Sequence, residues 1–425
     1  MKQNVQNSHS KTAFLLIFII LFLLSFILGR YSSTIPVSNT GTKEWFPLPQ
    51  NKQRPTQTYK NIHDTIQKTR KEEIHAYCRA TGVPKPAAND SVQLIFNNKY
   101  NISYFDIPKI GSTFIKQMFS VLENGPSYAK DNFSIPRSMV HKKFLDQGKQ
   151  FYFNSTLDKM LTIVAVRNPY SRLFATFVDK VYLPNKINLV SNITAYKQRH
   201  ISRDLVNNSI ASQGNSRGLS LTFQDFLNYA LDPSIKNKSL FNHYGPCFPQ
   251  LKYLICNSNA YSVVKQETFE TDIKYALQAV GVDKAEHETY YTIIKSLHDS
   301  RIEDSIPGII KVTFDNAKKY VKIWTGRIVA TRLWHSFQIQ GFISKHIPFP
   351  EKYFESESTY SNVSFVLKVF LREMKGRMLS RTETFDQRKE VMLNAYKQLS
   401  TNVIQNIQRT YNDDFKAFGY DKSLT

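Results

Sequence analysis

The segment of residues 104–118, YFDIPKIGSTFIKQM, constrains the fold of this chain more than any other. A short apolar run ends at Pro108 and Lys109, a Gly-Ser-Thr turn follows, and helix-forming residues begin directly after it. This order predicts a strand, a tight turn and a helix N-terminus. Such a turn directs backbone N–H groups and the positive end of a helix dipole at one place, which favours a phosphate or sulfate group. Lys109 adds a positive charge there, and Ser112 and Thr113 add two hydroxyl groups.

A second segment repeats this order of elements. Leu161–Val166 is a nearly continuous apolar run, typical of a parallel strand that is buried on both faces. Arg167–Tyr170 ends the strand, and Ser171–Val181 has the apolar spacing of an amphipathic helix. The two turns, at Lys109 and Arg167, are 58 residues apart. Ligands of open α/β sheets bind at the carboxyl ends of the strands, so we expect both turns to border one site.

The rest of the folded region alternates predicted strands with predicted helices. Val92–Phe96, Ile102–Ile107 and Tyr261–Lys265 have the composition of strands. Val190–Ser220 is polar and irregular, which is typical of an insertion or a lid, and Arg388–Tyr411 is the longest helical stretch near the end. We therefore expect an α/β fold with a central parallel sheet flanked by helices.

The amino-terminal region predicts a membrane anchor. Residues 12–29 carry no charged side chain, and the lysines before them favour a cytoplasmic N-terminus. The apolar run exceeds that of a usual signal peptide and no clear cleavage site follows, so an uncleaved anchor is preferred to a cleaved leader. We expect a cytoplasmic tail at 1–11, the anchor at 12–29, a stem at 30–90 and a lumenal domain at 91–425.

Glycosylation sequons agree with a lumenal domain. Each has the pattern Asn-x-Ser/Thr without proline at the middle position. They begin at Asn89, Asn101, Asn132, Asn154, Asn192, Asn207, Asn237 and Asn362.

The chain has three cysteines, Cys78, Cys247 and Cys256. In a lumenal compartment Cys247 and Cys256 could close a short loop, with Cys78 free or paired to another chain, and three unbonded thiols are the alternative. No Cys-x-x-Cys or nearby paired histidine accompanies them, which argues against a zinc site.

The charge balance is strongly basic, with 56 Lys and Arg against 34 Asp and Glu and a net charge of +22. A basic surface attracts polyanions such as nucleic acid, an anionic membrane or an acidic polysaccharide. Charge alone does not distinguish these partners.

Both turns resemble motifs of the Golgi carbohydrate sulfotransferases. Pro108–Phe114 is similar to the 5′-phosphosulfate loop of that family, and Val166–Leu173 is similar to its 3′-phosphate strand and helix. The segment from His243 to Phe269, which includes KQETF, and the ending Tyr411–Tyr420, YNDDFKAFGY, are similar as well. The resemblance covers Ser91–Asp421 and implies a P-loop-like sulfotransferase fold.

The resemblance implies sulfuryl transfer from 3′-phosphoadenosine 5′-phosphosulfate to a sugar hydroxyl, without a metal. Lys109 would stabilise charge on the departing phosphate, and Arg167 offers a planar fork for the 3′-phosphate. The implied donor-binding residues are Pro108, Lys109, Ile110, Gly111, Ser112, Thr113, Phe114, Arg167, Asn168, Pro169, Ser171 and Arg172.

The resemblance also implies partners and a location. We expect an acidic glycan acceptor, a Golgi membrane reached through the anchor, and no nucleic acid. A homodimer is one oligomeric state that the sequence allows.

Two histidines are candidates for the base that accepts the proton of the sugar hydroxyl. His141 precedes Arg167 by 26 residues, which resembles the position of the catalytic histidine in uronyl 2-O-sulfotransferases. His243 matches a histidine of the carbohydrate sulfotransferase pattern.

One position departs from the family pattern. Ala175 stands where the family usually has a serine that gives a second contact to the 3′-phosphate. Ser171 is a candidate substitute, whereas Thr176 is expected to point elsewhere on the helix. Weaker donor binding or loss of activity are the alternatives that this change raises.

Three rival functions share part of the pattern. A P-loop kinase needs its lysine at the helix entrance, whereas Lys109 precedes Gly111. A lumenal glycosyltransferase fits the location, but no Asp-x-Asp motif is present. A non-catalytic glycan-binding protein remains if the Ala175 change disables the donor site.

Overall fold

The centre of the protein is a five-stranded mixed sheet with the strand order β3-β1-β2-β4-β5. The computed structural model describes residues 57–82, 91–129, 137–146, 149–152, 159–205, 221–282, 289–294 and 305–424. The strands are β1 Ser91–Asn97, β2 Ile102–Tyr104, β3 Lys149–Tyr152, β4 Leu161–Val166 and β5 Tyr261–Lys265.

The expectation of a parallel sheet is correct for β2, β4 and β5 and wrong for the other two strands. β1 runs antiparallel to both of its neighbours, β2 and β3. Only residues 98–101 join β1 to β2, and a connection this short makes a hairpin, whereas a parallel pair needs a crossover of a dozen or more residues.

Helices surround the sheet and continue beyond it. They are α1 Gln57–Thr81, α2 Ser112–Asn124, α3 Arg137–Asp146, α4 Pro169–Phe177, α5 Ile187–Leu205, α6 Phe223–Leu231, α7 Phe241–Tyr244, α8 Phe248–Asn257, α9 Phe269–Ala279, α10 Ser305–Ala317, α11 Gly326–Ile339, α12 Glu357–Ser361, α13 Val363–Met374, α14 Arg381–Lys397, α15 Thr401–Thr410 and α16 Asn412–Ala417. A π-helical turn at Val178–Tyr182 extends α4.

Apolar side chains form three buried clusters. The first packs the sheet against α2, α8 and α9. The second joins α4, α5 and α6 to α14 and α15, and the third lies among α10, α11 and α13. The second cluster brings carboxyl-terminal helices onto the helix that follows Arg167, so the end of the chain helps to build the region of the predicted site.

Helix α1 lies in the segment predicted as stem, and it packs against the sheet edge. The Gln67 side chain takes the place of a neighbouring strand, since its amide donates to Val263 O at 2.9 Å and its oxygen accepts from Val263 N at 2.9 Å. Arg70 forms an ion pair with Asp272 of α9 at 2.8 Å. Residues 57–425 form one compact unit that includes this helix.

The disulfide joins Cys78 of α1 to Cys256 of α8, and Cys247 is a buried free thiol. Both arrangements that the sequence left open, a bridge between Cys247 and Cys256 and three unbonded thiols, are therefore wrong. Helix α8 lies between those two residues, and nine residues of α-helix span about 13 Å, far beyond the reach of a disulfide.

The prediction of an irregular segment at Val190–Ser220 is wrong for its first part, because α5 continues to Leu205. Leu189, Val190 and Ile193 are buried on one face of α5. Most residues around these positions are polar, so the short apolar stripe of this helix was not recognised in the sequence. Residues 206–220 lie outside the described part of the chain.

The predicted helical stretch Arg388–Tyr411 is divided between α14 and α15. Ser400 precedes α15 with an extended backbone, φ −67° and ψ 150°, which interrupts the helical hydrogen bonds. Ser400 is also a residue type favoured immediately before a helix.

Of the helices in the described ranges, none combines the length and the apolar composition that a bilayer crossing requires. The predicted anchor at residues 12–29 and the stem up to residue 56 lie outside those ranges.

Candidate active site

The turn that joins β2 to α2 has an unusual backbone. Lys109 and Gly111 both have left-handed torsions, with φ of 70° and 88°. Residues other than glycine rarely adopt this backbone conformation, so the conformation of Lys109 has a steric cost. The first hydrogen bond of α2 runs from Ile115 N to Gly111 O at 3.2 Å. The amides that begin at Ser112 have no earlier helical carbonyl to bond, which suits an anion.

The packing around Gly111 leaves no room for a side chain. A Cβ atom there would lie 2.8 Å from the ring of Phe269 and 3.3 Å from Gln266 Oε1. Phe269 is the first residue of α9, and its ring packs edge-on against Phe114 with 5.7 Å between the ring centres. The turn after β5 is therefore packed directly onto the turn after β2.

The second predicted turn lies against the first through Arg167. Its Nη1 donates to Lys109 O at 2.9 Å, and its Nε donates to Ser171 Oγ at 2.6 Å. Asn168 caps α4, because its side-chain oxygen accepts from Tyr170 N at 3.0 Å, and Pro169 occupies the first helical position. The structure thus brings together the two turns that the sequence predicted to border one site.

Glu267 and Tyr420 support the Arg167 turn. Glu267 Oε1 accepts from Asn168 N at 3.0 Å, and Oε2 accepts from the Tyr420 hydroxyl at 3.1 Å. Burial lowers the pKa of Arg167 to about 10, as do Arg388 and Arg172, while Glu267 opposes the shift. Arg167 stays protonated at neutral pH because this pKa lies well above it. Both supporting residues lie in segments with a family resemblance, but their role was not predicted.

Lys109 has an acidic neighbour that the sequence did not indicate. Its Nζ lies 2.7 Å from Asp179 Oδ2, and Lys180 Nζ lies 3.0 Å from the same oxygen. Asn185 donates to Asp179 Oδ1 at 3.2 Å. Asp179 and Lys180 belong to the π-helical turn after α4, and no local sequence pattern marks that turn as part of a site.

His243 lies close to this charged group. Burial lowers its pKa to about 3, with further lowering by Lys180, Lys109 and Arg172 and opposition from Asp179. The imidazole is therefore neutral at physiological pH. Its Nδ1 lies 2.9 Å from Asn242 Oδ1, so a proton on Nδ1 leaves Nε2 as a hydrogen-bond acceptor.

His141 contacts the other side of the first turn. Its Nε2 lies 3.1 Å from Thr113 Oγ1, and its Nδ1 lies 3.4 Å from Lys116 Nζ. Lysine only donates, so Nδ1 accepts and the ring proton sits on Nε2. Lys116 is 4% exposed and pairs with Asp106 at 2.6 Å. His141 is thus bonded through both nitrogens to side chains of α2.

Arg172 has a structural set of contacts. It is 1% exposed, and its guanidinium donates to Pro108 O, Asn242 O and Gly245 O. A buried guanidinium surrounded by carbonyls fixes the spacing of the segments that carry them. The described contacts of Arg172 therefore hold the first turn and the His243 segment, whereas the sequence grouped this residue with those that touch the donor.

Thr176, the residue after Ala175, points away from the position of the missing hydroxyl, as the sequence predicted. The Thr176 hydroxyl is buried and lies 3.0 Å from Arg172 O and 2.9 Å from His243 O. It therefore faces the interior and does not replace a hydroxyl at position 175. Ser171 is bonded to Arg167, on the side of the helix that borders the two turns.

Comparison with known proteins identifies the family. Residues 92–306 match the model of the sulfotransferase family, which is about half of the chain. Carbohydrate sulfotransferase 11 of Mus musculus is 26% identical over 231 residues, covering 51% of this chain and 62% of that protein. Carbohydrate sulfotransferase 10 of Gallus gallus is 26% identical over 268 residues, covering 59% of this chain and 71% of that protein.

The match is partial in length, since the chain spans 62% of the Mus musculus relative and of its Rattus norvegicus counterpart. No solved structure matches the chain significantly. The family match covers the strands that carry both turns, together with His141, His243 and Glu267. On this match, and on the two joined turns, the chain belongs to the sulfotransferase family.

Proposed function

We propose that this protein transfers a sulfuryl group from 3′-phosphoadenosine 5′-phosphosulfate to a hydroxyl group of a carbohydrate. The observation that carries the proposal is the bond from Arg167 Nη1 to Lys109 O at 2.9 Å, which joins two cationic turns at the ends of neighbouring parallel strands. A donor with phosphate groups at both ends fits such a pair of turns. Carbohydrate sulfotransferases among the relatives support the same reaction.

The residues present fit an anionic donor. Burial lowers the pKa of His243 most, and Lys180, Lys109 and Arg172 lower it further against the opposing effect of Asp179, which agrees with a positive potential at the site. In our proposal Lys109 and the first amides of α2 bind the phosphosulfate end, and Arg167 with Ser171 binds the 3′-phosphate. The donor supplies an activated sulfuryl group, and its transfer leaves added negative charge on the departing phosphate. Lys109 stabilises that charge.

We assign the base to His243 in preference to His141. The His243 ring is neutral and offers Nε2 as an acceptor, whereas both nitrogens of His141 are bonded to α2 side chains. A bound donor adds negative charge beside His243 and so raises its pKa towards the range in which imidazole accepts protons well.

The pH dependence tests this assignment. The pKa of His243 is lowered to about 3 in the free protein, so the imidazole remains unprotonated as the pH falls. We expect kcat/KM for the donor, which reports the free protein, to show no decrease from protonation of His243 between about pH 7 and 5. In kcat, which reports the complex, the decrease on the acidic side should occur at a higher pH than in kcat/KM. His243→Ala should lower kcat about a hundredfold.

His141→Ala is the matched comparison in the same assay. We expect its kcat to stay within about tenfold of the wild-type value, because the base is intact. A severe loss in His141→Ala with near wild-type kcat in His243→Ala would reverse the assignment.

The shape of the first turn supports a second prediction. Gly111→Ala should weaken binding of adenosine 3′,5′-bisphosphate at least about tenfold, because the new methyl group meets the Phe269 ring in a left-handed backbone. Gly125→Ala is a matched control, since Gly125 at the other end of α2 has φ of 82° with nothing within 4 Å of the added atom. Titration calorimetry would contradict the role of Gly111 if both variants bound equally well.

The proposed location and partners extend beyond the site. We propose a single-pass Golgi protein that is anchored by residues 12–29, with the catalytic region in the lumen, as supported by the apolar run and the sequons. The acceptor is an acidic glycan, which the net charge of +22 attracts. The scheme uses no metal and no nucleic acid, and we leave a homodimer as one allowed state.

A further inference from the structure

Helix α14 spans both flanks of the proposed donor site. Near its start, Arg381 Nη1 lies 2.6 Å from Glu270 Oε2 of α9, beside the residue that packs on Gly111. Near its end, the Tyr396 hydroxyl donates to Tyr170 O of α4 at 2.8 Å. These two contacts fix how α14 crosses the ends of α9 and α4.

Arg388 stands between these two contacts along the helix, on the side of Arg381. It follows Arg381 by seven residues, which is close to two full turns of an α-helix, and it precedes Tyr396 by eight, which is about 80° more than two turns. Its side chain is exposed rather than packed in the interior. The helix geometry therefore places Arg388 on the face of α14 that carries Arg381 and its contact with the start of α9.

Electrostatics agrees with this placement. Arg388 is the largest charged contributor that lowers the pKa of Arg167, ahead of Arg172 and against the opposing effect of Glu267. The two guanidinium groups are thus within Coulombic range of each other. Like charges held together repel, and a bound anion relieves the repulsion.

The 3′-phosphate contacts lack a group that the family pattern normally supplies. Ala175 has no hydroxyl, and the Thr176 hydroxyl faces Arg172 O and His243 O, so neither gives the second contact that the family pattern places at position 175, beside Arg167 and Ser171. A second cation beside Arg167 would fill this gap with a stronger, charge-assisted contact.

We propose that Arg388 binds the 3′-phosphate of the donor together with Arg167 and so replaces the contact that Ala175 lacks. The inference rests on the proposed function, because it assumes the same nucleotide. Arg388 lies beyond residues 92–306, so in this proposal α14 supplies a phosphate-binding side chain from outside the family match.

The test compares two nucleotides by titration calorimetry on the purified full-length protein. Adenosine 3′,5′-bisphosphate carries the 3′-phosphate and adenosine 5′-monophosphate lacks it. We expect Arg388→Gln to weaken bisphosphate binding about tenfold or more and to leave monophosphate binding unchanged. Lys389→Gln is the matched control, since it removes the same charge from the next exposed position of α14, and it should bind both nucleotides as the wild type does.

Three results would overturn the inference. Wild-type bisphosphate affinity in Arg388→Gln would show that this side chain does not contact the 3′-phosphate. Equal weakening of both nucleotides, or the same loss in Lys389→Gln, would indicate a structural or general charge effect. If the wild-type protein bound neither nucleotide, the proposed function itself would fall, and that result is distinct from the other outcomes.

Discussion

Replacing Lys109 with alanine is expected to lower sulfate transfer at least about a hundredfold, which corresponds to roughly 3 kcal/mol of transition-state stabilisation. The loss should appear mainly in kcat, because the ammonium group acts on charge that develops as the phosphate departs. The effect is measured as the rate at which labelled sulfate is transferred from the donor to a glycan.

The fold should survive this change. The Lys109 ammonium is partly exposed, and Asp179 has a second partner in Lys180, 3.0 Å away, which the substitution does not remove. Lys368→Ala, at an exposed position of α13, controls for the loss of one positive charge and should retain full activity. Near wild-type kcat in purified Lys109→Ala would remove Lys109 from the mechanism.

Replacing Arg167 with alanine is expected to cost a similar factor, about a hundredfold in kcat/KM, with a larger share in the donor KM. The substitution removes the fork that binds Ser171 Oγ at 2.6 Å and Lys109 O at 2.9 Å, so it also loosens the first turn. Arg167→Lys keeps the charge but cannot make both bonds, and we expect it to recover only part of the loss.

The KM of the donor distinguishes this role from a purely structural one. If Arg167 only braced the Lys109 turn, Arg167→Ala would lower kcat and leave the donor KM unchanged. Steady-state kinetics with a varied donor concentration would reveal that outcome.

The elements nearest the site could be predicted because their signals are local. The apolar run Leu161–Val166 forms β4 with the predicted bounds, and Tyr261–Lys265 forms β5 in the same way. The proximity of Lys109 and Arg167 followed from the rule that parallel strands end at one edge of the sheet.

The remaining features depend on contacts between distant parts of the chain. Gln67 reaches Val263 across 196 residues, and Cys78 reaches Cys256 across 178 residues, so no local pattern predicts that α1 completes the sheet edge. The positions of Asp179 and Arg388 near the two cationic turns likewise follow from tertiary packing. The carbonyl contacts of Arg172 could not be predicted either, because a motif records residue type and not the direction in which a side chain points.

Transfer of labelled sulfate by the purified full-length protein tests the central claim most directly. The protein is incubated with labelled 3′-phosphoadenosine 5′-phosphosulfate and an undersulfated glycosaminoglycan, and the disaccharide products are mapped. We predict that label enters one hydroxyl position of the glycan and that Lys109→Ala abolishes the signal. A protein that binds the glycan and transfers no label would contradict the account and support a non-catalytic glycan-binding function.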